Sequence, residues 1–198
     1  MTLAISNEDF EFISNFLKQR SGLALTPDKG YLIDTRLTPL AKANGLAGLK
    51  ELIQKLRADS RSPIVYQVVE AMTTNESMFF RDSKPFEQLS KVVLPDLKAK
   101  GRTSVRIWSA ACSTGQEAYS TAMLLKDEGA KYPGMKFEIV GTDLAEKVLE
   151  KARAGIYSQF EVQRGLPVMM LMKYFTQRAN NTWEINDTIK SMVKFTSG

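Results

Sequence analysis

Apolar residues in the first 84 positions recur at helical spacing. In the stretch that begins at Asn7, one helical face carries four apolar side chains, Phe10, Ile13, Phe16 and Leu17. Ser6 or Asn7 is expected to cap this helix, because short polar side chains accept the unpaired N–H groups of a first turn. Further helices are predicted over 27–45, over 46–56 and onward from 62. Short connections join them, so residues 1–84 are predicted to form a small helical bundle.

After residue 84 the pattern changes to strands that alternate with helices. A linking helix is predicted over 86–97. Residues 104–109 and 136–142 alternate in polarity and are rich in β-branched side chains, which is typical of strands. Each is followed by a stretch of helical composition, 116–128 and 144–154. This order predicts βαβ units and a parallel sheet, so residues 85–198 are expected to form an α/β domain.

The last part of the chain contains two more strand-like segments. Residues 182–185 and 192–196 are predicted to form a hairpin or a small sheet. The parallel sheet would then have two clear strands and an unpaired apolar edge, which folded proteins avoid. We therefore expect this sequence to be a fragment of a longer protein.

The composition excludes several kinds of site. The chain has no histidine and one cysteine, so a protein zinc site, a Ser-His-Asp triad or a Cys-His pair is not expected. No apolar run approaches the ~20 residues that span a bilayer. The N-terminus lacks the features of a secretory signal. A cytoplasmic protein that does not insert into membranes is the expectation.

The distribution of charge is uneven. The net charge is +5, too modest to indicate nucleic acid binding. Residues 36–61, however, contain six basic residues and only two acidic ones. The basic residues are Arg36, Lys42, Lys50, Lys55, Arg57 and Arg61, and the acidic residues are Glu51 and Asp59. Such a surface would attract an acidic partner. A solvated helix face explains it equally well.

Residues 108–117, Trp-Ser-Ala-Ala-Cys-Ser-Thr-Gly-Gln-Glu, lie where the first strand turns into a helix. Nucleotides bind at this place in α/β sheets. The small residues let a ligand approach the backbone, and the absence of a G-x-G-x-x-G pattern disfavours a pyrophosphate. A cofactor without phosphates would need a polar anchor, and Glu117 could pair with a cationic amino group. The alternative is a tight turn whose small residues serve packing alone.

Two further groups of polar residues are candidates for the same site. Asp143 ends the second strand, where an acid can accept the hydroxyl hydrogens of a ribose; it could instead cap the next helix. Asn75, Ser77 and Arg81 alternate with apolar side chains just before the expected domain junction, which is typical of a ligand pocket. An ordinary capped helix start with a surface arginine is the alternative.

These segments together resemble a known family. Residues 74–82, Thr-Asn-Glu-Ser-Met-Phe-Phe-Arg-Asp, are followed by Arg-Ile-Trp-Ser-Ala-Ala-Cys-Ser-Thr-Gly-Gln-Glu-Ala-Tyr-Ser and by Gly-Thr-Asp-Leu. They are similar to the CheR family of chemoreceptor glutamate methyltransferases, and the resemblance covers nearly the whole chain. It implies an N-terminal helical domain, residues 1–84, and a Rossmann-like S-adenosylmethionine domain, residues 85–198. A β-subdomain over about 174–196 is implied within the second.

The resemblance also implies roles for the candidate residues. It places Asn75, Ser77 and Arg81 beside S-adenosylmethionine and the active site, with Arg81 as the candidate catalytic residue. Glu117 matches the acid near the methionine portion of the cofactor, and Asp143 matches the ribose acid. The product would be S-adenosylhomocysteine. An Asn-Leu pair and a later Arg-Asn motif, which complete the family's pocket, do not occur in residues 1–198.

The implied substrate is the cytoplasmic helical region of chemoreceptors. Some family members hold a receptor pentapeptide through a glycine-rich loop, but the matching residues 176–181 are few and contain no glycine. We therefore expect binding without pentapeptide tethering. Two alternatives remain: a module that binds receptor or cofactor without turnover, and a methyltransferase that acts on another acceptor.

Overall fold

A computed structural model describes residues 5–197 of the chain. Within them the molecule forms two compact units, the first ending at Thr74 and the second beginning at Asn75. The expected boundary, between residues 84 and 85, lies further along the chain. The difference arises because Phe79 is fully buried in the core of the second unit and Phe80 packs against that core.

The first unit is helical. Its helices are α1 (Asn7–Ser21), α2 (Tyr31–Ala43), α3 (Leu49–Ala58) and α4 (Ile64–Met72), with a 3-10 turn at Pro27–Lys29. Apolar side chains from all four pack into one core, among them Ile13, Leu17, Ile33, Leu37, Leu52 and Val68. The predicted helical bundle is confirmed.

The first helix begins where a capping residue was expected. The Ser6 side-chain oxygen accepts a hydrogen bond from the Asp9 backbone N–H at 3.2 Å, so Ser6, not Asn7, is the cap. At the other end Gly22 adopts a φ of 72°. Glycine enters this left-handed region without steric cost, which lets the chain leave the helix abruptly.

Two of the six basic residues between 36 and 61 have partners inside this unit. The Arg36 guanidinium donates to the Met72 carbonyl at 2.8 Å. Arg57 pairs with Asp9 at 3.1 Å and lies over the Phe12 ring, 4.3 Å from its centroid. These two arginines therefore stabilise the bundle, and Arg36 is partly withdrawn from the surface whereas Arg57 remains exposed.

The second unit opens with the linking helix, which is longer than the predicted 86–97. It comprises α5 (Ser83–Gln88), a π-helical turn (Leu89–Val93) and α6 (Leu94–Ala99). Then follow, in chain order, β1 (Ser104–Ala110), α7 (Gln116–Glu128), β2 (Lys136–Asp143), α8 (Glu146–Ala154), β3 (Ile156–Ser158), α9 (Gln159–Gln163), α10 (Val168–Tyr174), β4 (Phe175–Arg178), β5 (Thr182–Ile185), α11 (Asp187–Lys190) and β6 (Val193–Ser197).

These strands form two sheets within residues 5–197. The parallel sheet has the order β1-β2-β6, and in its register Trp108 lies opposite Val140, which lies opposite Lys194. The antiparallel small sheet has the order β3-β5-β4. The predicted α/β architecture with a parallel sheet is confirmed.

The hairpin interpretation of residues 192–196 is wrong. This segment is β6, a parallel neighbour of β2, and the small sheet instead recruits β3 from before the expected 174–196 region. Asn186 caps α11, which separates β5 from β6. Phe195 then packs over Gly141, where an added Cβ would lie only 2.7 Å from the ring. The absence of a side chain at Gly141 therefore makes room for the third parallel strand.

Aromatic side chains fill the core where the small sheet meets the 75–81 segment. The Phe79 ring meets Tyr157 edge-on at 5.0 Å and Phe175 at 5.7 Å, measured between ring centroids. Behind them, Gly165 lies against the Phe79 carbonyl, and an added Cβ would be 2.0 Å from that oxygen. The close approach of these two backbones therefore requires a glycine.

We expect Gly165→Ala to destabilise the chain more than Gly101→Ala does. Both glycines have positive φ, 81° and 69°, so both substitutions incur a left-handed strain of about 1–2 kcal/mol. Only Gly165 also faces a backbone oxygen, whereas a Cβ at Gly101 meets nothing within 4 Å. Urea unfolding of the two variants measures the difference, and equal losses of stability would contradict the packing described.

Candidate functional site

The turn of residues 111–115, between β1 and α7, has an unusual backbone. Ala111, Ser113 and Gly115 all have positive φ, at 52°, 50° and 91°. Non-glycine residues in the left-handed region cost about 1–3 kcal/mol each and persist where the surroundings fix them. One such restraint is the Cys112 N–H, which donates to the Thr142 carbonyl on β2 at 2.8 Å. We call residues 111–115 the β1–α7 turn.

Asp143 supplies a second restraint on this turn. One carboxylate oxygen accepts the Ser113 N–H at 2.8 Å, and the other accepts the Ala145 N–H at 2.9 Å. The residue is 8% exposed. The alternative role for Asp143, a cap on the next helix, is not what the structure has: α8 begins after Ala145 without a side-chain cap, and Asp143 instead accepts the N–H of Ala145 just before that helix. A carboxylate has about four acceptor positions, and these two bonds use two of them.

The Asn75 end of the 75–81 segment joins the same network. The Ser113 hydroxyl donates to the Asn75 carbonyl at 2.8 Å. Further along, the Phe80 N–H donates to the Ser120 hydroxyl on α7 at 3.0 Å. Asn75 and Asp143, which are far apart in sequence, are therefore connected through the single residue Ser113.

Glu117 lies in the first turn of α7, close to the end of β1. It is exposed, and its Oε1 accepts the Ser109 hydroxyl at 2.7 Å. That hydrogen bond orients the carboxylate while leaving Oε2 accessible to a cationic group. A carboxylate at a helix N-terminus is also favoured by the helix dipole.

Ser77 and Arg81 belong to the same 75–81 segment, whose Phe80 is bonded to α7. The Arg81 guanidinium is exposed and donates to the Glu76 carbonyl at 3.3 Å, and Ser77 is half-buried. Within residues 5–197 neither side chain hydrogen-bonds to Glu117 or Asp143. The structure thus links the Asn75 backbone carbonyl to Asp143 through Ser113, and it shows no bond from Ser77 or Arg81 to these residues within the described part of the chain.

Cys112 is unsuited to act as a nucleophile. The side chain is buried, and this burial together with the nearby Asp143 carboxylate raises the pKa of the thiol to about 12. The reactive form of cysteine is the thiolate, so at neutral pH the group remains an inert part of the β1–α7 turn.

The donor and acceptor groups fit a nucleoside that carries positive charge and no phosphate. Two carboxylates, Asp143 and Glu117, flank a turn of small residues, and a phosphate would be repelled by them. Ribose hydroxyls and an ammonium group are suitable partners for such acceptors. S-adenosylmethionine carries both, so the residues present are compatible with it.

Sequence reasoning missed the serines that assemble this site. Ser109 orients Glu117, Ser113 joins Asn75 to Asp143, and Ser120 holds Phe80. The sequence indicates for Ser113 only a small side chain that allows a ligand to approach the backbone. The signal available was the run of small polar residues after β1, but the partners come from distant parts of the chain.

No helix in the described part of the chain combines the length and apolar character that a bilayer crossing requires.

Comparison with known protein families identifies both units. Residues 8–73 match the family described as "CheR methyltransferase, all-alpha domain", and residues 75–197 match "CheR methyltransferase, SAM binding domain". The second match begins at the residue where the second structural unit begins. S-adenosylmethionine is therefore the cofactor of this domain.

Named relatives cover nearly the whole chain. A chemotaxis protein methyltransferase from Pseudomonas aeruginosa is 40% identical over 197 residues, which are 98% of this chain and 72% of that protein. One from Vibrio parahaemolyticus is 35% identical over 195 residues, covering 98% and 70%. One from Escherichia coli is 34% identical over 173 residues, covering 87% and 58%. The chain belongs to the CheR family of S-adenosylmethionine-dependent chemotaxis methyltransferases.

Proposed function

We propose that this chain methylates glutamate side chains of chemoreceptors at the site built on the β1–α7 turn. The observation that carries the proposal is the hydrogen-bonded series Asn75–Ser113–Asp143, with Glu117 at the adjacent helix start. It supports a nucleoside site at the carboxyl ends of parallel strands, where α/β sheets bind such ligands.

In this proposal each carboxylate recognises a different part of the cofactor. Asp143 accepts hydrogen bonds from the ribose hydroxyls through the acceptor positions that Ser113 and Ala145 leave open. Glu117 pairs with the amino group of the methionine portion, and Ser109 holds it in place. Asn75, Ser77 and Arg81 form the opposite side of the site, next to the acceptor.

The proposed chemistry requires little from the protein. When bound, S-adenosylmethionine supplies a methyl group activated by its sulfonium. The glutamate that receives it has an ordinary pKa of about 4.3 and is ionised at neutral pH, so no general base is needed. This agrees with a chain that has no histidine and a protonated cysteine. The protein's contribution is to align the two reactants and exclude water.

Arg81 is the proposed orienting group for the acceptor carboxylate. Its guanidinium has five N–H donors, and the Glu76 carbonyl at 3.3 Å holds it by one of them. The remaining donors are suited to a carboxylate, which a guanidinium binds in a planar, two-point geometry. Exposure of the side chain makes it accessible to a protein substrate.

The acceptor is proposed to be an acidic, helical receptor segment. Lys50 and Lys55 on α3 are exposed and remain candidates for binding it, whereas Arg36 and Arg57 serve the bundle itself. Tethering through a receptor pentapeptide is not part of the proposal. The β4–β5 hairpin turns within residues 179–181 and offers no glycine-rich loop.

A methyl-transfer assay on receptor membranes tests the proposed reaction. With S-adenosylmethionine labelled in the methyl group, we expect label in the receptor that is released as methanol at alkaline pH, because an ester is base-labile. Alkali-stable label would indicate another acceptor. Cofactor binding without any transfer would support the alternative of a binding module.

Glu117→Gln tests the proposed cofactor contact. The amide keeps an acceptor for Ser109 but loses the negative charge, so we expect the affinity for S-adenosylmethionine to fall about five- to tenfold, equivalent to roughly 1–1.4 kcal/mol. The matched control is Glu150→Gln, which neutralises an exposed carboxylate on α8. Calorimetric titration measures both variants, and equal affinities would rule out Glu117 as the anchor.

Charge reversal on α3 tests the proposed receptor surface. We expect Lys50→Glu with Lys55→Glu to weaken receptor binding at least tenfold at low salt, where exposed charges interact most strongly. The control, Lys18→Glu with Lys29→Glu, changes the net charge equally at exposed positions of the same unit. Co-sedimentation with receptor membranes measures binding. Unchanged binding of the α3 variant, or equal weakening in both, would contradict a specific role for this surface.

A further inference from the structure

Tyr157, on β3 of the small sheet, reaches into the β1–α7 turn. Its hydroxyl donates to the Thr114 carbonyl at 2.7 Å, and the side chain is completely buried. Burial raises the pKa of this hydroxyl well above its ordinary value, so the group remains a donor at neutral pH. The small sheet is thereby hydrogen-bonded to the turn on which the cofactor site is built.

The ring of the same residue packs against the other side of the site. Its edge-on contact with Phe79, at 5.0 Å between centroids, fixes the middle of the 75–81 segment. Gly165, in the loop between α9 and α10, supports that segment from behind at the Phe79 carbonyl. One residue of the small sheet therefore contacts both segments that the proposed site requires, one through its hydroxyl and one through its ring.

The backbone of the β1–α7 turn is strained and depends on hydrogen bonds from neighbouring segments. Ala111 and Ser113 have left-handed backbones, and Thr114 lies between Ser113 and the left-handed Gly115. A backbone of this kind relaxes when one of its fixed points is removed. The Asp143 carboxylate restrains the turn at the Ser113 N–H, and the Tyr157 hydroxyl restrains it one residue later at the Thr114 carbonyl.

We propose that Tyr157 is a positioning residue for S-adenosylmethionine binding, through which the small sheet sets the shape of the β1–α7 turn. The inference rests on the proposed location of the cofactor site. It gives the small sheet a role in cofactor affinity that is independent of any contact with the receptor.

The test compares Tyr157→Phe with Tyr119→Phe. Each removes a buried phenolic hydroxyl that donates to a backbone carbonyl, Thr114 at 2.7 Å or Ala152 at 2.8 Å. Both variants retain the ring, and both are expected to lose similar thermal stability. Only Tyr157→Phe is expected to weaken binding of S-adenosylhomocysteine, about tenfold, which is the effect of one hydrogen bond.

Calorimetric titration, thermal unfolding and steady-state methyl-transfer kinetics of the full chain give the three readouts. The apparent KM for S-adenosylmethionine should rise in Tyr157→Phe while the KM for the receptor stays unchanged. Wild-type cofactor affinity in Tyr157→Phe would overturn the inference. Equal weakening in Tyr119→Phe would also overturn it, because the effect would then follow from general destabilisation.

The Glu117→Gln variant separates this inference from the proposed site. If Glu117→Gln weakens cofactor binding and Tyr157→Phe does not, the site stands and the positioning role fails. If Tyr157→Phe weakens binding selectively while Glu117→Gln has no effect, the turn still governs affinity, and the assignment of Glu117 fails.

Discussion

The buried carboxylate of Asp143 is the interaction on which the second unit depends. A charge with 8% exposure is costly unless hydrogen bonds compensate it, and here the N–H groups of Ser113 and Ala145 do so. The first bond fixes the turn after β1, and the second fixes the chain as it enters α8. The Ser113 hydroxyl in turn donates to the Asn75 carbonyl and so restrains the start of the 75–81 segment. A single side chain thus holds together three segments that are separate in sequence.

Because of this arrangement, a substitution of Asp143 would affect both the stability of the fold and the proposed cofactor contact. Its replacement would leave buried N–H groups without an acceptor, at a cost of about 1–3 kcal/mol each, and would also remove the proposed ribose contact. Glu117 is different, because it is exposed and touches the fold through one serine hydroxyl. Tyr157 is different again, since its hydroxyl acts on the turn while its ring keeps the core filled. Substitution of either residue therefore leaves both hydrogen bonds of Asp143 in place.

The sequence predicted most of the elements because their patterns are local. Helical spacing identified α1, the side-chain types left Ser6 or Asn7 as its cap, and α7 spans the predicted 116–128. The errors arose where contacts between distant residues decide the structure. β6 has the alternating pattern of any strand, and its place in the parallel sheet is set by pairing with β2, where Phe195 packs over Gly141. The candidate site residues were visible as polar positions at the strand ends and before the domain junction, and the family resemblance supplied their roles. Ser113 as their connection could not be foreseen, because its positive φ leaves no periodic signal.

The most direct test of the central claim is a nuclear magnetic resonance titration of the backbone amides with S-adenosylhomocysteine. If the cofactor binds to the Asp143 carboxylate, the amide signals of Ser113 and Ala145, which donate to that carboxylate, should shift and saturate together with the calorimetric binding curve. Saturable binding that leaves both signals unmoved would place the cofactor elsewhere and contradict the account.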